Sequence, residues 1–360
     1  MILHRYIIKN QAKMLLFMTC IISVLVFTTD FIETVRVEIA QQHTVFTILY
    51  KSLFKFPYIV LSVYPYIFLG ASGIVLWRFI KSNQITIIKT IGFKDISILK
   101  PLVAFGFVIG LLWLAVLQPI ACKMYLKVMN PELIAKMYAA DSKMENIWLH
   151  QRTEDAETLI HIDELHSKIA TGISIYSLDK TGILCSKIMA KEAFLSDKGF
   201  FLHDGISSDS SNESITKFTE KFFKTNISAD HFASEFRQSD FMGIYDLIEL
   251  LILRLDANLG YQKLLTQIHS LLAIVLLTAI MPLFAAVPCM VHSRNYRGIH
   301  AFFLLVVGSV FMYFALNVLR MLGLSKTHPH VLLVWIPVLL LGFASLCFIS
   351  IRERRHAVFS

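Results

Sequence analysis

The stretch Leu271-Leu-Ala-Ile-Val-Leu-Leu-Thr-Ala-Ile-Met-Pro-Leu-Phe-Ala-Ala-Val-Pro-Cys-Met-Val291 decides the class of the fold, because it carries no charge over 21 positions. A helix of about 20 residues crosses the ~30 Å hydrocarbon layer of a bilayer. Outward from it, comparable apolar runs occupy 14–29, 58–79, 102–122, 301–322 and 331–351, which makes six in all. The first is short, and Arg5, Lys9 and Lys13 before it resemble the start of a signal peptide, but no small-x-small cleavage site follows. The whole chain agrees. Of 360 residues 56% are hydrophobic and only 17% charged, which leaves too little polar surface to cover one soluble globule. Disordered, collagenous and disulfide-scaffold classes are excluded by the same composition.

Charge gives the orientation. The net charge is +8, yet residues 123–263 hold 16 basic and 21 acidic side chains, so the rest of the chain carries +13. That surplus lies in short segments beside apolar runs, as retention of positive charge on the cytoplasmic side produces. Arg5, Lys9 and Lys13, then Arg78, Lys81, Lys89, Lys94 and Lys100, then Arg294 and Arg297, then Arg352, Arg354 and Arg355 fall on one side. Both termini are therefore expected in the cytoplasm, and the central region on the periplasmic side. The expected divisions are 1–122 with three spans, 123–265 as an exported domain, and 266–360 with three more. The basic balance marks membrane topology and gives no reason to expect nucleic acid as a partner.

The exported domain reads as strands. Segments 146–151, 158–163, 172–178, 182–188 and 199–203 are short and rich in β-branched and aromatic residues, with turn residues between them. Such spacing predicts an antiparallel sandwich, roll or barrel. Helical connectors are expected at 131–141 and 243–264, and 207–214 reads as a serine-rich loop.

Catalytic signatures are weak. Gly70-Ala-Ser-Gly73 lacks the Lys-Ser/Thr of a phosphate loop and suits close helix packing instead. His161-Ile-Asp-Glu-Leu-His166 lacks zinc-binding order, since on a strand His161 and Asp163 share a face and His166 takes the other. No nucleophile elbow accompanies the scattered Ser, His and Asp residues. Nothing in the spacing argues for a disulfide between Cys122 and Cys185. No cofactor or metal is expected on this chain.

Segment 82–99 ought to be a polar cytoplasmic loop and is not. Ile85, Ile88, Gly92, Ile96 and Leu99 recur at helical spacing, with Lys81, Lys89, Lys94, Asp95 and Lys100 as contrast. This pattern predicts an amphipathic helix that either lies on the inner leaflet or docks in a groove of a cytoplasmic motor.

Lys81-Ser-Asn-Gln-Ile-Thr-Ile-Ile-Lys-Thr-Ile-Gly-Phe93 resembles the coupling segment of the YjgP/YjgQ permeases, LptF and LptG. Asn146-Ile-Trp-Leu149, Gly172-Ile-Ser-Ile-Tyr-Ser-Leu-Asp179 and Gly199-Phe-Phe-Leu-His-Asp-Gly205 are similar to strands of that family's periplasmic β-jellyroll. Pro282 followed by Arg294, and Trp335-Ile-Pro337, resemble its second membrane half. Length and the Gly-Ile-Ser-Ile-Tyr strand lean towards LptG.

The resemblance implies a non-catalytic permease of an ABC-type exporter in the bacterial inner membrane, extracting lipopolysaccharide. Its implied partners are a cytoplasmic ATPase dimer, a second LptF-type permease and an LptC-like single-span jellyroll protein. Gln84, Ile85, Ile88, Lys89, Gly92 and Phe93 would couple to the ATPase, with Gln84 and Lys89 where the family pattern has Glu and Arg. Arg36, Lys51, Lys55, Asn317 and Arg320 would meet lipid phosphates, because Asp30, Glu33 and Thr34 stand where some members have lysines. Two alternatives stay open: a mechanotransmitting ABC subunit that moves no lipid, and an envelope enzyme using the exported domain.

Overall fold

In the computed structural model the long apolar runs are helices. The residues described are 2–39, 44–128, 144–152, 156–166, 169–179, 183–196, 199–209, 214–225, 241–256, 261–291, 298–323 and 330–358. Hydrocarbon offers the backbone no hydrogen bonds, and a helix satisfies its N–H and C=O groups within one segment. The chain divides into one unit of Met1–Tyr125 with Thr266–Ser360 and another of Leu126–Leu265.

The first unit opens with α1 (Ile2–Ile39), α2 (Val45–Ser62) and α3 (Tyr64–Lys81). The last two run back along α1 as one bent rod. Tyr6 stacks on Phe79, Gln11 bonds Ser72, Phe27 meets Phe56 and Asp30 pairs with Lys55, so partner numbers fall as α1 advances. The apolar run expected as one helix over 58–79 therefore crosses a break at Val63. Pro65 accounts for the break. Its nitrogen carries no hydrogen for the Leu61 carbonyl four residues back, which accepts instead from a backbone N–H at the end of α2 and from the Trp113 indole Nε1, at 3.1 Å.

Next come α4 (Gln84–Thr90) and α5 (Asp95–Leu112), a π-helical turn at Trp113–Leu117, and α6 (Gln118–Leu126). After the inserted domain and α7 (Ile244–Asp256), the chain returns as α8 (Gln262–Val291), α9 (Gly298–Gly323) and α10 (His330–Val358). α5 meets α8 at Gly106 and Gly110, spaced as in small-xxx-small packing. A Cβ on Gly106 would lie 2.7 Å from the Thr278 carbonyl oxygen, and one on Gly110 would lie 3.0 Å from that of Val275. Of the stretch 70–73 expected to serve close packing, Ala71, Ser72 and Gly73 are buried and Gly70 faces open space.

Among the described residues, five helices are long and apolar enough to cross a membrane: Ile2–Arg36, Val45–Ser62, Asp95–Leu126, Gln262–Cys289 and Val331–Glu353. The run expected at 301–322 is helical within α9, where its apolar stretch is Val306–Ala315.

The second unit holds β1 (Met144–Arg152), β2 (Ala156–His166), β3 (Ile169–Asp179), β4 (Leu184–Ser196), β5 (Gly199–Asp209) and β6 (Ser214–Lys224). Every described pairing is antiparallel between chain neighbours, in the order β1-β2-β3-β4-β5-β6. The connectivity is a meander, without a Greek-key crossover among the described strands. One face supplies the core, from Ile160, Ile162, Ile173 and Ile175 to Phe200 and Leu202, with Phe218 and Phe223 of β6 packed against it. Of the serine-rich loop expected at 207–214, residues 207–209 continue β5 and Ser214 begins β6. The connector expected at 131–141 lies outside the described residues, whereas the one expected from 243 is seen in α7.

Candidate functional site

The amphipathic segment is where the sequence expectation changes most. A continuous helix over 82–99 is not formed: α4 stops at Thr90, and Asp95 already begins α5. Gly92 is the stop, with φ at +91°. Its N–H bonds the Lys89 carbonyl at 2.9 Å and the N–H of Phe93 bonds the Ile88 carbonyl at 3.3 Å, the paired bonds of a Schellman motif. A glycine followed by charged residues at the end of an apolar stripe is a C-terminal helix signal that the 3–4 spacing concealed.

The turn reverses which apolar groups face outward. Ile85 is buried within this chain, Ile88 is half-buried, and Ile87, Ile91 and Phe93 are 57%, 69% and 46% exposed. Gln84 begins α4 and accepts a long hydrogen bond from the Tyr6 hydroxyl at 3.5 Å. Lys89 does not project freely. Its ammonium lies 2.7 Å from Oδ1 of Asp95, a carboxylate 3% exposed in the first turn of α5. The result is a braced turn with three apolar side chains outward.

The candidate lipid contacts fall into two groups. Arg36 is exposed in the last turn of α1, while Lys51 and Lys55 lie one turn apart on α2. Lys55 pairs with the buried Asp30 at 3.6 Å, so part of its charge is already compensated. Asn317 is on α9, where its amide donates to the Tyr313 carbonyl at 2.8 Å, and Arg320 follows on the same helix. α9 packs on α3 and α10, with Tyr313 edge-on to Tyr66, so this second group sits on a different helix neighbourhood from the first.

In the sheet, His161 Nδ1 is 3.6 Å from Asp163, as a shared strand face requires. No group of three or more His, Cys, Asp or Glu suited to a metal exists among the described residues. Cys122 and Cys185 are not joined by a disulfide.

Apolar helices of spanning length with an antiparallel sheet inserted between them define a polytopic membrane protein with a β domain. The sequence matches the family model described as Lipopolysaccharide export system permease LptF/LptG over residues 5–351. The chain belongs to that family and is a membrane permease subunit. No curated protein matches it.

Proposed function

We propose that this chain is the LptG-like half of an ABC-type lipopolysaccharide exporter in the bacterial inner membrane. Its implied partners are a cytoplasmic ATPase dimer, an LptF-type permease and an LptC-like single-span protein. The carrying observation is the exposure of Ile87, Ile91 and Phe93 on a turn braced by Lys89 and Asp95. An apolar cluster on a rigid cytoplasmic projection is what a groove on a motor recognises. Ile85 and Ile88 support the projection from beneath, and Gly92 aims it.

ATPase closure pushes on this turn and moves α5 with it, since Asp95 belongs to both the brace and the helix. Lipid enters from the outer leaflet, and its phosphates meet Arg36 and Lys51 at the periplasmic edge. Asn317 and Arg320 form a second polar position on α9. The lipid then passes to the β domain. Both termini are cytoplasmic in this reading.

Affinity purification in mild detergent tests it. The expected co-purifying proteins are an ATPase and a second six-span permease. Recovery of the chain alone, or unchanged ATPase recovery with Ile91→Asp and Phe93→Asp, would refute the docking role.

A further inference from the structure

A recess of about 270 Å³ opens between the first turns of α1 and the last turn of α3, with Arg78 and Lys81 on its wall. Its other polar groups are neutral: the Tyr6 and Ser82 hydroxyls and the Asn10 and Gln84 amides. No carboxylate lines it. Among the described residues neither cation forms an ion pair, and the Lys81 ammonium instead lies 5.1 Å over the Trp77 ring. The floor is apolar, formed by the buried Val75 and Phe79, with the Tyr6 ring stacked on Phe79 at 5.9 Å.

Two uncompensated cations beside neutral hydrogen-bonding groups suit an oxyanion. The change from cationic wall to apolar floor within one recess suits an oxyanion attached to hydrocarbon, more than a free ion. The neighbouring surface of α1 points the same way, because Leu16 and Phe17 are 75% and 55% exposed.

We infer that this recess binds the phosphate of an anionic membrane lipid. Arg78 and Lys81 hold the oxyanion, and the glycerol end rests on Val75 and Phe79. On the orientation proposed above the lipid belongs to the cytoplasmic leaflet, although the binding chemistry does not depend on that orientation or on the ATPase. Gln84 both lines the recess and begins α4, so an occupied recess ties lipid to the start of the docking turn.

Native mass spectrometry of the full chain in neutral detergent, titrated with phosphatidylglycerol or phosphatidylcholine, is the test. Wild-type protein should retain phosphatidylglycerol preferentially. Arg78→Gln and Lys81→Gln should each reduce that preference about fivefold, the weight of one cation near a membrane surface. Gln84→Glu, which brings a carboxylate into the wall without removing a packed group, should reduce it similarly and keeps the test readable should the cation variants misfold. Lys221→Gln, in β6 and outside the recess lining, should leave it unchanged. Equal retention of the two lipids by wild type, undiminished preference in Gln84→Glu, or displacement of the lipid by about 10 mM inorganic phosphate would overturn the assignment.

Discussion

The Lys89 ammonium reaches both oxygens of Asp95, at 2.7 Å and 2.9 Å, and so clamps α4 to the first turn of α5. Asp95 is almost wholly buried whereas Lys89 is one-third exposed, so the two ends of the clamp respond differently to substitution. Lys89→Met leaves the buried carboxylate with only the charge of Arg352 on α10 and should cost on the order of 2 kcal/mol. Lys89→Met combined with Asp95→Leu removes both charges and should recover part of that loss, since Arg352 then loses the Asp95 counter-charge. Thermal unfolding of the single and double variants in detergent measures the difference, and an equal loss in both would show that the pair contributes nothing.

Gly92 has open space around its missing Cβ, so the cost of replacing it is conformational rather than steric. Gly92→Val should strain the turn by about 1–3 kcal/mol and redirect Ile91 and Phe93. Recovery of the co-purified ATPase should fall while the yield of the permease holds. Coincident loss of both would assign Gly92 a purely structural role.

The α5–α8 crossing tests steric closeness directly. Gly106→Val places a branched side chain against the Thr278 carbonyl and should abolish monodisperse protein, whereas Gly70→Ala should be silent. Size-exclusion profiles distinguish them.

Trp113→Phe keeps the aromatic bulk but removes the donor to the Leu61 carbonyl. The Leu61 carbonyl keeps a backbone N–H at the end of α2, so losing the indole donor should cost only about 0.5–1.5 kcal/mol, read as a slightly lower midpoint of thermal unfolding. A midpoint equal to wild type would mean that the backbone N–H alone satisfies Leu61.

Phe200 and Phe201 are consecutive in β5 and face opposite sides of the sheet. The first is fully buried and the second is 48% exposed. Phe200→Ala should therefore destabilise the β domain by about 3–5 kcal/mol. Phe201→Ala should cost no more than about 1 kcal/mol. Limited proteolysis within 144–225 reports both.

The sequence made the apolar runs and five of the strands readable because hydrocarbon length and β-branched clusters are local signals. β6 escaped because Thr219, Glu220 and Lys221 lie between the two residues that touch the core, Phe218 and Phe223, so neither alternating face looks apolar. The amphipathic segment reads from its sequence as one helix, where the structure has two. The 3–4 spacing of Ile85, Ile88, Gly92, Ile96 and Leu99 is blind to a reversal at its own glycine. The pairing of Lys55 with Asp30 was beyond reach, since it depends on how α2 lies against α1. The Pro65 break was marked by its residue type, but the apolar character of 58–79 continues across it.

Of the apolar stretch of α8 72% is buried by protein, against 11% of that of α1. The two rods therefore meet different surroundings, one packed among side chains and the other with one side on α2 and α3 and the rest against whatever hydrocarbon the preparation supplies. A change of bilayer thickness or detergent acts on α1 first and reaches α8 only through the helices between them, so environmental sensitivity enters this permease from its edge while its axle stays put.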